Sequence, residues 1–591
     1  MGSGGLIAMD EDNCMVSLAQ FLLQFTKDES CGKCTPCRAG IPQMLEIITR
    51  ITEGKGKLED LQILEELART TKSSSLCGLG QTAANPVLTT LRYFRNEYEA
   101  HIIDKKCSAA ICQALFRAPC QHTCPLEIDI PGYVALIKNG DFEKAYKLIA
   151  QRAPLPYVCG SVCHAPCESK CRRGQIDDPI AIRELKRFAV DWAHKNNVVY
   201  APPVKNKNGV KVAIVGSGPA GLTAAHDLAR EGYEVTIFEA LPVAGGMLAV
   251  GIPNYRLPKD ILEKEIEMIK RLGVKIILNK PVNDIDSLLK EGYKAVFIAV
   301  GCMKGIKMGI PGEDLDGVLD AIEFLKEVNL GKRTKVGKRV AVIGGGNSAI
   351  DAARVALRCG AESVEIFYRR DKSDMTAIPE EVEAAEEEGI KIHCLTVPTK
   401  ILGRDGKVVG IECVKMELRE FDKSGRRTPY QIPGSEYRVE VDMVIEAIGQ
   451  RPDSSFLENK IKLGKGGTIL VDPRTLATNV KGIFAGGDVV TGPATVTEAM
   501  AAGRRAASSI RRYCQGEELL PRPVYPAEET FVLPQIPPTD EETKEKSRVT
   551  VSKLSINERL GGFREIVKPY NLGEAVEESK RCLRCDLEVL G

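Results

Sequence analysis

The sequence predicts an α/β protein with two parallel-sheet dinucleotide folds, preceded by two small helical, cysteine-rich domains. Three observations predict it. Strand–glycine–helix units begin at Val212 and again at Val340, within a stretch from Val210 to about Arg512 where apolar strand-like runs alternate with glycine turns and helical segments. Thirteen of the twenty cysteines fall between Cys14 and Cys171, and Cys582 and Cys585 lie in the last ten residues. Apolar residues near the start (Ile41, Met44, Leu45, Ile48, Ile51, then Leu58, Leu61, Leu64, Leu67) recur at helical spacing.

Composition narrows the function classes. A chain of 591 residues implies roughly four domains and needs no metal merely to fold. Lys and Arg total 81 against 80 for Asp and Glu, a net charge of +1 without the basic excess of a nucleic-acid binder. No run of about 20 apolar residues predicts a membrane span, and no basic start followed by an apolar core predicts a secretory signal. Tight cysteine clusters beside a cysteine-poor body point to metal binding in a reducing, cytoplasmic setting, not to a disulfide scaffold.

The elements divide as 1–103, helical; 104–204, cysteine loops with an amphipathic stretch from Tyr133 to Ala150 broken at Asn139-Gly140; 205–329, 330–445 and 446–515, the α/β body; and 516–591, a tail rich in Pro, Glu and Lys. Residues 201–209 read as a linker. The acidic run Glu380 to Glu388 reads as a solvated helix face.

In the first unit, an apolar strand (Val212–Val215) runs into Gly216, Gly218 and Gly221, and a second strand ends in Glu239. The glycines permit a tight turn, close approach of a pyrophosphate and close helix packing, and the acid can accept both hydrogen bonds of an adenosine ribose. The helix start offers N–H groups to phosphate. In the second unit Gly344, Gly346 and Ala349 take the small positions, and the strand from Val364 ends in Arg369 and Arg370 instead of an acid. Guanidinium groups bind a 2′-phosphate that a carboxylate would repel, which favours NADP(H) over NAD(H).

A later segment, GIFAGGDVVTGPATVTEAMAAGRRAA, places Asp488 after a short strand and a glycine pair, where it can reach a flavin ribityl hydroxyl or phosphate. With GGMLAVGIPNYRLPK (245–259) and AIGQRPD (447–453), it resembles the FAD/NADPH domains of the glutamate synthase small-subunit family, which includes the large subunit of the NADPH-dependent ferredoxin–NAD transhydrogenase. The resemblance covers about 105–515. It implies an FAD domain with the NADP domain inserted in it. It extends the FAD set to Pro219, Ala220, Gly246, Met247, Gly301, Gly487 and Thr495, and the NADP set to Asn347, Ser348 and Gly449.

Cys31-x-x-Cys34-x-x-Cys37, with Cys77 forty residues later, fits one [4Fe–4S] cluster better than zinc, which usually takes two separated pairs. The surrounding sequence, including SLCGLGQTAANPVLTTLRYFRNEYEAHI, resembles the C-terminal iron–sulfur domain of the NADH-binding subunit of respiratory complex I, whose relatives serve bifurcating hydrogenases. The match starts at the first residue, without the FMN- and NADH-binding part, so NADH oxidation is not expected of this chain.

A second constellation is Cys120-x3-Cys124, then Cys159, Cys163, Cys167 and Cys171. It resembles the two-cluster N-terminal domain of the glutamate synthase small-subunit family, in which a CxxC pair stands upstream within a phrase like EExxRCLxC. Here that phrase stands at the far end, as EESKRCLRCD. The resemblance thus implies that the tail folds back, with Cys120, Cys171, Cys582 and Cys585 holding one cluster and Cys124, Cys163 and Cys167 another. The position of the other cluster's fourth ligand, Glu or Gln in relatives, holds Lys186. Glu184 and Cys159 are alternatives.

Cys107 and Cys112, near His101, resemble the remnant of a KCPAGVC phrase in the complex I-like hydrogenase subunits. They could hold zinc with His101 and His122, or be packed cysteines. Cys14, Cys302, Cys359, Cys394, Cys413 and Cys514 read as small buried hydrophobes.

No catalytic acid, base or nucleophile is required: hydride passes between NADPH and FAD, and clusters carry single electrons. The resemblances together imply a subunit of an electron-bifurcating transhydrogenase. Its partners would be a separate FMN/NADH-binding iron–sulfur subunit, a small [2Fe–2S] subunit and ferredoxin. The alternative is the electron-supplying subunit of a glutamate synthase, hydrogenase or formate dehydrogenase, and a non-enzymatic relay is disfavoured by the intact glycines.

Overall fold

The computed structural model describes residues 7–332, 336–422, 425–457, 460–526 and 528–587. Two five-stranded sheets form its body, each with all its pairings parallel. The first runs, in spatial order, Ile483–Ala485, Ala295–Ile298, Lys211–Val215, Glu234–Phe238, Lys275–Ile277. The second runs Val318–Asp320, Met443–Glu446, Arg339–Ile343, Ser363–Phe367, Lys391–His393. The whole second sheet lies, in sequence, between Ile298 and Ile483, two neighbours of the first. The insertion expected from the resemblance is therefore built into the topology, and a short antiparallel pair (Lys304–Gly305 with Gln450–Arg451) joins outgoing and returning chains.

Both sheets are apolar on both faces, as helix-covered parallel strands require: Val212 to Val215 and Val340 to Ile343 are all buried. Gly503 lets the helix Val496–Gln515 lie against the helix Pro219–Arg230, because a Cβ there would fall 2.2 Å from the Ala220 carbonyl oxygen. An antiparallel group the sequence reading did not foresee (Thr396–Arg404, Lys407–Phe421, Arg427–Gln431, Tyr437–Val439) rises from the second sheet.

The first helical region packs Met15–Asp28, Thr35–Thr52 and Glu59–Ser74 around a core of its own, in which Ile41, Met44, Ile48 and Ile51 are fully buried. The repeat of the next helix is weaker than its spacing suggests: Leu61 and Leu64 are buried, but Leu58 is 51% exposed. The amphipathic stretch forms two helices, Ile130–Lys138 and Phe142–Ala150, and breaks at Gly140 with φ +79°. These helices share one continuous apolar core with the first sheet.

The acidic run is a solvated face through Glu380, Glu383, Glu386 and Glu387, which are exposed, but not at its end. Glu388 is buried between Arg354 (2.7 Å) and Arg358 (2.8 Å), and Glu381 also pairs with Arg354. No helix among the described residues is long and apolar enough to cross a membrane.

Candidate functional site

A cleft of about 1400 Å3 opens where the two sheets face each other. That exceeds the usual volume of a single small-molecule site and accommodates two dinucleotides. Gly216, Gly218, Pro219 and Ala220 line one side, and Gly344, Gly346, Asn347 and Ser348 the other. Gly221 and Ala349 sit behind the cleft, as packing positions: a Cβ on Gly221 would come 2.0 Å from the Gly216 carbonyl oxygen, and Ala349 is fully buried. The middle glycines differ. A Cβ on Gly218 would meet nothing within 4 Å, and one on Gly346 only the Thr376 hydroxyl at 3.4 Å. Packing does not require glycine there. A phosphate approaching the backbone does.

Around the first turn, the Glu239 carboxylate lines the cleft and accepts from the Ser217 N–H (2.9 Å), the Ser217 hydroxyl (2.5 Å) and the Leu241 N–H (2.9 Å). These donors fix its orientation. Ser217, which the sequence reading passed over, also accepts from the Gly245 N–H and so ties the turn to the loop bearing Gly246 and Met247. Gly301, Gly487 and Asp488 form the far wall. Burial pushes the Asp488 carboxyl up to about 6, against the opposing N–H of Ala494. Thr495 caps the helix Val496–Gln515 by accepting from the Glu498 N–H, so the start of a 20-residue helix points into the cleft.

On the second side, Arg369, Arg370 and Arg426 converge with Gly449 in the lining. Arg370 is buried, donating to the Arg427 carbonyl (3.1 Å) and to Asp422 (3.4 Å). Burial, with Arg370 and Arg426 beside it, pushes the Arg369 guanidinium down. Three guanidinium groups gathered on one wall, with the Asp422 carboxylate beside them, leave that wall cationic on balance. Arg426 comes from the antiparallel group, over fifty residues beyond the strand end. No local spacing marks it.

The remaining wall comes from the cysteine region. Val162 and His164, on either side of Cys163, line the same cleft. Behind them a small cavity is bounded by Cys124, Cys163, Cys167, Lys186 and Thr497. Glu184 instead accepts from Arg183 (3.0 Å), and Cys159 lies against the Met500 sulfur at 3.6 Å. Of the three candidates for a fourth position, only Lys186 faces the three sulfurs.

The tail does fold back. Arg581 pairs with Asp177 (2.8 Å), and Glu578 accepts from the Ala181 N–H (2.8 Å). Cys582 is thereby packed with Cys120 and Cys171 in one core. Burial pushes the Cys120 thiol well up, as do the charges of Cys171, Cys582, Cys167 and Cys585 around it.

In the first helical region, Cys34 and Cys77 are the N-cap residues of Thr35–Thr52 and Gly78–Ala83. The Leu76 and Cys37 N–H groups hold the Cys34 thiol below its ordinary value. Cys31 and Cys77 are exposed, and Cys37 is buried, with its sulfur 3.3 Å from the Ser30 hydroxyl.

The remaining set corrects two expectations. Cys14 is buried as expected but is more than a small hydrophobe: with His101, Cys107 and Cys112 it forms a buried group whose ligand atoms all lie within 4.8 Å of one another. His122 is elsewhere, its Nε2 bonded to the Cys107 backbone. His101 Nδ1 lies 2.8 Å from the Glu97 carbonyl, which fixes the proton there and leaves Nε2 facing the sulfurs, 3.3 Å from Cys112 and 3.5 Å from Cys14. Burial opposes charge on this imidazole, yet Cys107 and Cys14 raise it to about 10.

Three family signatures match: pyridine nucleotide-disulphide oxidoreductase over 210–503, the iron–sulfur binding region of NADH-ubiquinone oxidoreductase F over 17–101, and dihydropyrimidine dehydrogenase domain II, a 4Fe-4S cluster domain, over 91–198. The NADP(+)-dependent formate dehydrogenase subunit beta of Moorella thermoacetica is 41% identical, covering 99% of this chain and 92% of that one. The NADPH-Fe(3+) oxidoreductase subunit beta of Geobacter sulfurreducens is 38% identical, covering 99% and 93%. The glutamate synthase [NADPH] small chain of Azospirillum brasilense is 35% identical, covering 68% and 87%. The chain thus belongs to one family with the NADP(+)-dependent formate dehydrogenase and NADPH-Fe(3+) oxidoreductase beta subunits, and it joins a pyridine nucleotide-disulphide oxidoreductase body to two iron–sulfur regions.

Proposed function

We propose that this chain is the NADP(H)-linked flavin and iron–sulfur subunit of a multi-subunit oxidoreductase. It would exchange hydride with NADP(H) in the cleft and single electrons with partner subunits. The observation that carries this reading is the shared wall: residues flanking Cys163 line the same cleft as both glycine turns. FAD, when bound, supplies the conversion between a two-electron hydride and single electrons.

The chain's own residues orient and shield. Gly216 and Gly218 admit the FAD pyrophosphate to the helix start, Glu239 takes the adenosine ribose, and Asp488 the ribityl chain. Gly344 and Gly346 do the same for NADP(H), and Arg369, Arg370 and Arg426 grip its 2′-phosphate. Cys124, Cys163 and Cys167 hold the cluster beside the cleft. Cys120, Cys171, Cys582 and Cys585 hold a second, and Cys31, Cys34, Cys37 and Cys77 a third near the surface, where a partner can be reached. Cys14, His101, Cys107 and Cys112 would hold a zinc ion, since three sulfurs and an imidazole form a donor set that suits it.

The relatives matched over 99% of the chain are named for formate and ferric iron chemistry, which supports a partner that oxidises or reduces a separate substrate. A bifurcating transhydrogenase with NAD(H) and ferredoxin partners is the second reading, favoured by the match of 17–101 to an NADH-ubiquinone oxidoreductase region. Anaerobic titration of the reconstituted chain tests the core proposal: NADPH should bleach the flavin absorbance and then produce reduced-cluster paramagnetic signals. Reduction by NADH in preference to NADPH would overturn it. Identifying the subunits that co-purify from the native host separates the two readings.

A further inference from the structure

We infer that Lys186 is a buried cation that raises the reduction potential of the cluster held by Cys124, Cys163 and Cys167, and is not that cluster's fourth ligand. This rests on the cluster assignment proposed above.

The helix Ile182–Lys195 turns Ile182, Leu185, Lys186 and Ala189 inward, and Lys186 is only 5% exposed. Lysine is almost never so buried without a partner, because an ammonium loses its hydration there. Among the described residues no carboxylate pairs with it, and the nearby Glu184 is engaged by Arg183. Lys186 instead shares its cavity with three sulfurs. Neutral thiols cannot offset an ammonium, whereas a thiolate-bound cluster is anionic and can. As a neutral amine ligand, Lys186 would leave that anionic charge uncompensated in a pocket whose other walls hold no charged side chain, Pro125, Ile128, Ile130, Tyr133, Pro166 and Ile182 among them.

The cation has a consequence for electron flow. Reduction adds a negative charge to the cluster, so a positive charge and three N–H donors at its edge favour the reduced state. Thr497, in the first turn of the helix that points into the cleft, bounds the same cavity. The cluster favoured by Lys186 is therefore the one next to the cleft, and it becomes the ready acceptor of the first electron leaving there.

The test uses the full chain, reconstituted anaerobically, with iron analysis and a redox titration followed by paramagnetic resonance. Lys186→Met and Lys186→Leu should keep the wild-type iron content. At fixed potential, their reduced-to-oxidised ratio for this cluster should fall at least about tenfold, which is 59 mV for one electron. Lys186→Arg, which keeps the charge and cannot replace an amine ligand, should stay within about threefold of wild type. Cluster loss in Met and Leu but not in Arg also supports the charge role. An unchanged ratio in Met and Leu, or cluster loss in all three variants, overturns it. Cys163→Ser is the separate control: undiminished iron there would remove the cluster assignment itself.

Discussion

The Cys14 sulfur lies 3.8 Å from the Cys112 sulfur, 98 residues along the chain, with the His101 ring between the segments that carry them. This contact closes the start of the first helical region onto the loop that leads to the next.

The chain should accordingly retain about one zinc after exhaustive dialysis. Cys14→Ser should release it without changing the iron content and should lower the melting temperature, since a structural zinc site contributes to folding. His122→Ala should keep the metal. The opposite pattern in elemental analysis would restore His122 as the ligand.

Replacing Arg369 and Arg370 by uncharged residues should weaken NADPH at least about tenfold and leave NADH little affected, because a charge-assisted hydrogen bond is worth roughly 1.5–3 kcal/mol. Arg426→Gln should act in the same direction. Flavin bleaching by each nucleotide reads this without partner subunits. Unaltered preference for NADPH in the double variant would reduce the arginines to surface charge.

Removing residues 580–591 should cost about four irons and the signal of one cluster, with FAD retained. Cys34→Ala should also cost about four, from a different cluster, and leave NADPH–dye activity intact. If the truncation leaves iron and resonance unchanged, Cys107 and Cys112 return as ligands in place of the tail pair.

Glu265 supplies a pH test. It lies on the flavin-side helix Lys259–Arg271 and accepts from the N–H groups of Tyr157 (2.5 Å) and Val158 (3.3 Å), at the start of the helix that leads to Cys163. Burial raises its carboxyl from 4.5 to about 8, although those N–H groups oppose the shift. A raised acid stabilises the fold fully below its unfolded value and loses that contribution as pH rises to the folded one. Wild type should therefore lose stability relative to Glu265→Gln between about pH 4.5 and 8, then level off. A melting-temperature difference that stays constant from pH 5 to 9 would refute this.

Much of this was legible in sequence where the constraint is local. Glycine turns, strand ends and CxxC spacings carry their geometry within a few residues, so Gly216, Glu239, Gly344 and Arg370 all fall in one cleft as their motifs imply. Arg426 and Cys14 were missed because their partners lie dozens of residues away and nothing in their own neighbourhood marks them. Glu388 was misread because charge alone does not say whether an arginine waits across a helix interface. The tail is legible only through a displaced phrase, EESKRCLRCD, which in the family it resembles stands upstream of the first cysteines.

The fold-back also orders events in time. The segment around Arg173 and Asp177 has its ion-pair partner in Arg581 and its neighbouring sulfurs in Cys582 and Cys585, some four hundred residues later. During synthesis, Cys120 and Cys171 therefore emerge long before the sulfurs that come to lie beside them, with both nucleotide-binding sheets made in between. The tail's contact closes last: a chain interrupted anywhere in the two nucleotide-binding sheets never brings Arg581 to Asp177, so the cysteine region is sealed only in a finished molecule.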